Sequence, residues 1–353
     1  MGDLLTATEE LMAVPSPSRH EGALADRVHE ALAACPWLEV TRLGDNVVAR
    51  TTLGRTQRLV LAGHLDTVPP AGNDAPRLDG DTLWGVGASD MKGGLAVMLQ
   101  LATAIREPAV DVTWCFYARE EIGRDDSGLL EVWGQRPELL AGDAAVLGEP
   151  TAGLVEAGCQ GTMKLRLTLC GVRAHTARPF TGRNAIHRLA PLLQRVADWK
   201  GREVVLDGCT YTEQLQVVAV EGGVAGNVVP DYVEVSLNHR YAPDRRRAEA
   251  EAFLHELLDP VLELGAGDTW VVLDAGDGAP PSLGHPLLKS LVDQSGAPPK
   301  AKVGWTDVAS FWEHGVPAAN FGPGDPLLAH HPDERVTRGE LERTHEVLHA
   351  LLA

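Results

Sequence analysis

The sequence predicts an α/β protein: a mixed, mostly parallel sheet sandwiched by helices, interrupted by an inserted ferredoxin-like βαββαβ domain. Three observations carry this. Short apolar runs without alternation recur between helical patterns, as in strands buried on both faces of a parallel sheet. One helical stretch, MKGGLAVMLQLATAI, is apolar nearly all round, as a helix covered by other elements would be. The middle of the chain switches to a period of two and runs strand, helix, strand, strand, helix, strand.

In chain order, TATEELMAV and EGALADRVHEALAAC have helical apolar spacing and are separated by PSPS. RLVLAGH, DVTWCFYARE, AAVLGEP and VPAANFG are the buried strands, each bounded by turn residues. In TMKLRLTLCG, Met163, Leu165, Leu167 and Leu169 alternate with Lys164, Arg166 and Thr168, which predicts a half-exposed strand. The helix NAIHRLAPLLQRVADW, the strands LQVVAVEGG and YVEVSLNHRY, the helix DRRRAEAEAFLHELL and the strand TWVVLDA follow. This places the insertion at residues 161–275 and the α/β domain at 1–160 and 276–353, the sheet resuming at KAKVGWTDVASF.

A length of 353 residues suits such a two-part chain. A formal net charge of -18 argues against nucleic acid as a partner, because phosphate needs a basic face. It also means that an anionic substrate is drawn in by local cations or metal. Cys35, Cys115, Cys159, Cys170 and Cys209 are scattered and never spaced as C-x-x-C, which reads as reduced cytoplasmic thiols. With no basic, apolar leader and no long apolar run, neither a signal peptide nor a membrane span is expected.

Polar residues gather where the buried strands end. His64 and Asp66 follow the first, Asp90 ends GVGASD, Glu120 and Glu121 follow the next, Glu149 ends AAVLGEP, and His330 lies in GPGDPLLAHHPDE. Ligands of open α/β sheets bind outside the carboxyl ends of the strands. Each residue alone has a plainer explanation: a hydrogen-bonded His-x-Asp pair, a solvated Glu-Glu turn, an aspartate capping a helix, a surface His-His loop. Together they put five carboxylates into one crevice, where they would repel and take up protons unless cations neutralise them. Imidazole with carboxylate suits zinc, and the lack of thiolates suits a catalytic site.

The motifs GHLDTVP, GVGASDMKGG, REEIG, LGEPT and AHHPDE resemble, in order and spacing, those of the co-catalytic zinc aminoacylase and carboxypeptidase-G-like metallopeptidase family. The resemblance spans almost the whole chain. It implies a zinc-exopeptidase-like homodimer whose insertion is lid and dimerisation domain, with two zinc ions per subunit that cobalt can replace. It gives His64 and Glu149 to one zinc, Glu121 and His330 to the other, and Asp90 as the bridge, with a cis Asp90–Met91 peptide. His330 is taken over His331 because the family ligand stands four residues before a glutamate, here Glu334. Glu120 would be the general base, and Asp66 would orient His64. His175, in RAHTARP, would reach the partner subunit's site as an oxyanion donor; without the resemblance it reads as a loop histidine.

Asn227, Arg240 and Thr306 are the candidates for substrate contacts, with a turn residue, a surface arginine and a helix cap as the plain alternatives. The segments EAGCQGT, RAHTARP, GVAGNVVPD and GWTDV are most similar to members that remove succinate from N-succinyl-LL-2,6-diaminopimelate, an anionic N-acyl amino acid. Acetylornithine deacetylases and carboxypeptidases of the family share versions of several, and a silent binding homologue is a third possibility that the intact Glu120 and ligand set disfavour. Gln160 stands where some succinate-removing members carry an arginine.

Overall fold

A computed structural model describes residues 2–353, which divide into two compact units. The first comprises the residues up to Gly158, with Pro281–Lys300 and Ser310–Ala353. Its eight-stranded sheet runs Glu39–Leu43, Asn46–Arg50, Asp111–Tyr117, Arg58–His64, Ala144–Leu147, Ala318–Asn320 and Glu156–Ala157, then a short edge strand beginning at Lys300. Arg58–His64 lies parallel to both its neighbours, and Ala144–Leu147 is parallel to Ala318–Asn320. This parallel centre is why the runs lack alternation: all seven residues of Asp111–Tyr117 are buried.

The helix Gly93–Ala104 explains its own apolar surface in the same way, burying Leu95, Val97, Met98 and Leu101. It needs glycine at its start. A Cβ on Gly94 would stand 2.3 Å from the Gly148 carbonyl oxygen, so only a bare backbone allows this approach. The helices Leu4–Met12, Gly22–Ala33, Pro286–Ser295 and Arg338–Leu352 share this unit's apolar core, in which Leu24, Leu61, Trp114 and Leu348 are all buried. Each such leucine contributes roughly 1.5–3 kcal/mol by leaving water.

The second unit carries a four-stranded antiparallel sheet in the order Gln214–Gly222, Tyr232–Tyr241, Gly161–Cys170 and Thr269–Gly276. The helices Leu189–Asp198 and Arg247–Leu258 complete the ferredoxin-like βαββαβ order. Met163, Leu165, Leu167 and Leu169 point into a core shared with Leu192, Val235 and Leu254. Between the first helix and the second strand, Glu203–Leu206 and Cys209–Thr212 form an additional hairpin.

The unit runs from Cys159 to Pro280 and also takes Ala301–Ala309, a segment that the sequence assigned to the other domain. The reason is local bonding. Trp305 Nε1 donates to the Asp277 carbonyl at 3.1 Å, Gln160 N–H to the Lys302 carbonyl at 3.2 Å, and Cys159 Sγ lies 3.7 Å from the Thr306 carbonyl. All five cysteines are free, and no helix among the described residues is long and apolar enough to cross a membrane.

Candidate metal centre

Three neighbouring parallel strands end side by side, and this brings the candidate ligands together. His64 closes Arg58–His64, Glu120 and Glu121 follow Asp111–Tyr117, and Glu149 follows Ala144–Leu147. Asp90 comes from the turn before Gly93–Ala104, and its peptide bond to Met91 is cis. His330 lies on a loop after Pro326–Leu328. His64 Nε2 is 3.0 Å from Asp90 Oδ1 and 3.9 Å from Glu149 Oε1. His330 Nε2 is 3.0 Å from Glu121 and 3.5 Å from Asp90 Oδ2.

The donor atoms of His64, Asp90 and Glu149 all lie within 4.8 Å of one another, and so do those of Asp90, Glu121 and His330. Asp90 belongs to both triads, one oxygen toward each imidazole. A third grouping joins His64, Glu120 and Glu121. Burial alone would lower the basicity of His64, but the Asp66 and Asp90 carboxylates and the Glu149 charge raise it well above its ordinary value. Glu121 holds His330 up to about 9. Crowded carboxylates demand positive charge, and protons on the imidazoles or a divalent cation in each triad both answer that demand. Two imidazoles with three carboxylates and no thiolate fit a pair of borderline divalent cations sharing Asp90.

Asp66 meets His64 chiefly through its main chain. His64 Nδ1 donates to the Asp66 backbone carbonyl at 2.9 Å, while the carboxylate stands at 3.6 Å. The carboxylate instead accepts the backbone N–H groups of Glu120 at 3.0 Å and Glu121 at 3.1 Å and the Ser18 hydroxyl at 2.7 Å. Burial would raise its pKa, but the His64 imidazole and these donors hold it down to about 2.

Glu334, noticed in the sequence only as a spacing marker, supports Asp90. Its Oε1 accepts the Ser89 N–H at 3.0 Å and the Asp90 N–H at 2.9 Å. Burial pushes its carboxyl up to about 7. Ser18 and Glu334 escape sequence reading because each bonds to a segment far away in the chain, Ser18 to the Asp66 carboxylate and Glu334 to the Ser89 and Asp90 amides.

The remaining candidates lie in the second unit. His175 is exposed, and its Nδ1 accepts the Ala177 N–H at 3.0 Å, which leaves the proton on Nε2 as a donor. Asn227 is exposed, and its carbonyl accepts the Thr176 N–H at 3.1 Å. Arg240 is half-buried on Tyr232–Tyr241 and donates to Asn238 Oδ1 at 3.1 Å. Thr306 is buried, and its hydroxyl has no hydrogen-bond partner among the described residues. Gln160 is buried with its side-chain amide donating to the Thr212 carbonyl at 3.0 Å, so that amide ties down the additional hairpin.

Residues 60–353 match the model of Peptidase family M20/M25/M40. The chain belongs to this family. Among M20 relatives, a Mycobacterium tuberculosis protein named provisionally as a succinyl-diaminopimelate desuccinylase is 48% identical over 352 residues, covering 99% of this chain and 98% of the relative. The succinyl-diaminopimelate desuccinylase of Corynebacterium glutamicum is 44% identical over 342 residues, covering 95% of this chain and 92% of that enzyme. A tripeptidase of Staphylococcus aureus superposes with a TM-score of 0.82 at 19% identity, over 99% of this chain and 97% of its own; that likeness concerns the fold alone.

Proposed function

We propose that the chain is a homodimeric, cytoplasmic di-zinc amidohydrolase that cleaves N-succinyl-LL-2,6-diaminopimelate into succinate and LL-2,6-diaminopimelate. The observation that carries the chemistry is the pair of donor triads sharing Asp90 beside Glu120. The substrate rests on the near-full-length similarity to the two desuccinylases.

His64 and Glu149 would hold one cation, Glu121 and His330 the other, and Asp90 would contribute to both. Such ions would supply the charge that makes water a stronger acid and offsets a developing oxyanion. Glu120, half-exposed beside the triads, takes the proton from water and returns it to the leaving amine. The Asp66 carboxylate holds Glu120 by its main chain, and the Asp66 carbonyl fixes the His64 tautomer. His175 donates its Nε2–H to the oxyanion in the partner subunit's site. Arg240, with Asn227 and Thr306, receives the substrate's remote carboxylate.

Steady-state rates on N-succinyl-LL-2,6-diaminopimelate and N-acetylornithine test the reading. The succinyl compound should lead in kcat/KM by about 10²-fold or more, since a site built to bind a charged end rejects a substrate lacking it. A lead for N-acetylornithine would make the chain a deacetylase, and no amide cleavage by the metal-loaded protein would make it a binding homologue.

A further inference from the structure

Glu21 is a fully buried carboxylate that belongs to none of the candidate metal-binding groups. It precedes the helix Gly22–Ala33. Its Oε1 accepts the backbone N–H of Arg19 and that of Arg119, each at 3.0 Å. Both arginines hold a left-handed backbone, with φ of 74° and 64°. Its Oε2 has no hydrogen-bond partner among the described residues. A buried carboxylate so sparsely satisfied is costly to the fold, and burial raises its pKa above the ordinary value.

Those bonds complete a pattern. Three successive amides follow the strand Asp111–Tyr117: Arg119 donates to Glu21, Glu120 to Asp66 Oδ1 and Glu121 to Asp66 Oδ2. Two buried carboxylates from separate segments thus hold one turn. The segment that carries Glu21 is itself fixed to Asp66 and its neighbours. Ser16 Oγ donates to the Leu65 carbonyl at 2.7 Å, and Ser18 Oγ to Asp66 Oδ2. A left-handed arginine is a strained arrangement that persists only when its surroundings determine it. Its release would rotate the peptide between Arg119 and Glu120 and displace the Glu120 carboxylate.

We propose that Glu21 is a positioning residue for Glu120: it holds Arg119 left-handed and so fixes where the Glu120 carboxylate stands. This rests on reading Glu120 as the general base. The test uses the metal-loaded full chain with Glu21→Ala, Glu21→Gln, Arg119→Gly and the Glu21→Ala/Arg119→Gly double variant. The readouts are kcat, KM, bound metal, and deuterium exchange of the peptide spanning residues 119–121. Glu21→Ala should lower kcat at least about tenfold, leave KM and bound metal within about twofold, and speed the exchange. Glu21→Gln keeps the accepting oxygen and should stay within about threefold of the parent.

Glycine adopts positive φ freely, so Glu21→Ala should cost far less in the Arg119→Gly background than in the parent. Unchanged exchange, unchanged kcat, or loss of metal in Glu21→Ala would each overturn the proposal, as would an equal cost in both backgrounds. Full turnover by Glu120→Ala would remove the base reading and this proposal with it. Failure confined to the Glu21 variants removes this proposal alone.

Discussion

The Asp66 carboxylate reaches Glu120 through the main chain: Oδ1 accepts the Glu120 N–H at 3.0 Å while Oδ2 accepts the next amide at 3.1 Å. Asp66→Asn turns one of those acceptors into a donor, so one buried amide must face another N–H. The expected result is a loss of about 1–3 kcal/mol of stability and a clear drop in kcat. Calorimetric unfolding and steady-state kinetics on the same preparation check it. A lower melting temperature with unchanged kcat would reduce Asp66 to a structural residue.

Glu120→Ala should remove the base and leave both triads intact. A kcat loss of at least about 10²-fold is expected, with bound metal near the parent level. Metal analysis beside turnover decides the matter. If the variant lost an ion and kept its turnover per loaded site, Glu120 and Glu121 would exchange roles.

The parallel sheet is legible because its strands are apolar on both faces, and the candidates His64, Glu120, Glu121 and Glu149 because each stands where such a strand stops. Ser18, Glu21 and Glu334 are not, for a shared reason. Each works by accepting or supporting groups remote in the chain; Glu21 and Arg119 are 98 positions apart, and Ser89 and Glu334 are 245. No local pattern encodes such a bond. The hairpin in the second unit is a different case. Its turn, Asp207-Gly208, has positive φ at both residues and stands between alternating segments, a readable hairpin signal overshadowed by the longer patterns around it. The Ala301–Ala309 segment groups with the second unit through bonds to main-chain carbonyls from Trp305 Nε1, the Gln160 N–H and Cys159 Sγ, and no hydrophobic periodicity announces such bonds.

Chelation should abolish turnover, and Zn²⁺ or Co²⁺ should restore it. The stripped protein should also melt at a lower temperature, because ions that bind only the folded triads stabilise that state by mass action. Full activity in protein shown by elemental analysis to be metal-free would end the di-metal reading.

His239 should give the second unit a stability that depends on pH. It is fully buried among Trp199, Tyr241 and Phe253. Its Nδ1 donates to the Gln214 carbonyl at 3.0 Å, and its Nε2 has no partner among the described residues. Burial pushes its pKa below the ordinary 6.5; the Gln214 bond and the Glu213 charge oppose this, and the Arg245 charge adds to it. The unfolded chain therefore binds the proton more readily. The stabilising contribution is present above about pH 6.5 and is lost as pH falls toward the folded pKa. Between pH 7 and pH 5 the parent's melting temperature should fall more than that of His239→Gln, which keeps an amide donor for Gln214. Parallel slopes would clear His239 of this role.

His175 is the candidate that tests the dimer. Its Nδ1 is occupied by the Ala177 N–H, so its exposed ring presents Nε2–H as a donor. In a two-fold dimer in which this donor serves the partner's site, each site is built from one subunit's triads and the other's imidazole. Glu120→Ala keeps His175, and His175→Ala keeps Glu120. In a mixed dimer of these two inactive variants, one site has both groups and the other has neither. Random mixing makes about half the dimers mixed, with one working site in each, so about a quarter of parent activity should return. If His175 serves its own subunit, every site lacks one group and nothing returns. The variants should be co-expressed with different tags and the doubly tagged dimer purified, so that subunit exchange is assured. An inactive purified heterodimer would refute the crossing and leave His175 a local residue of the second unit.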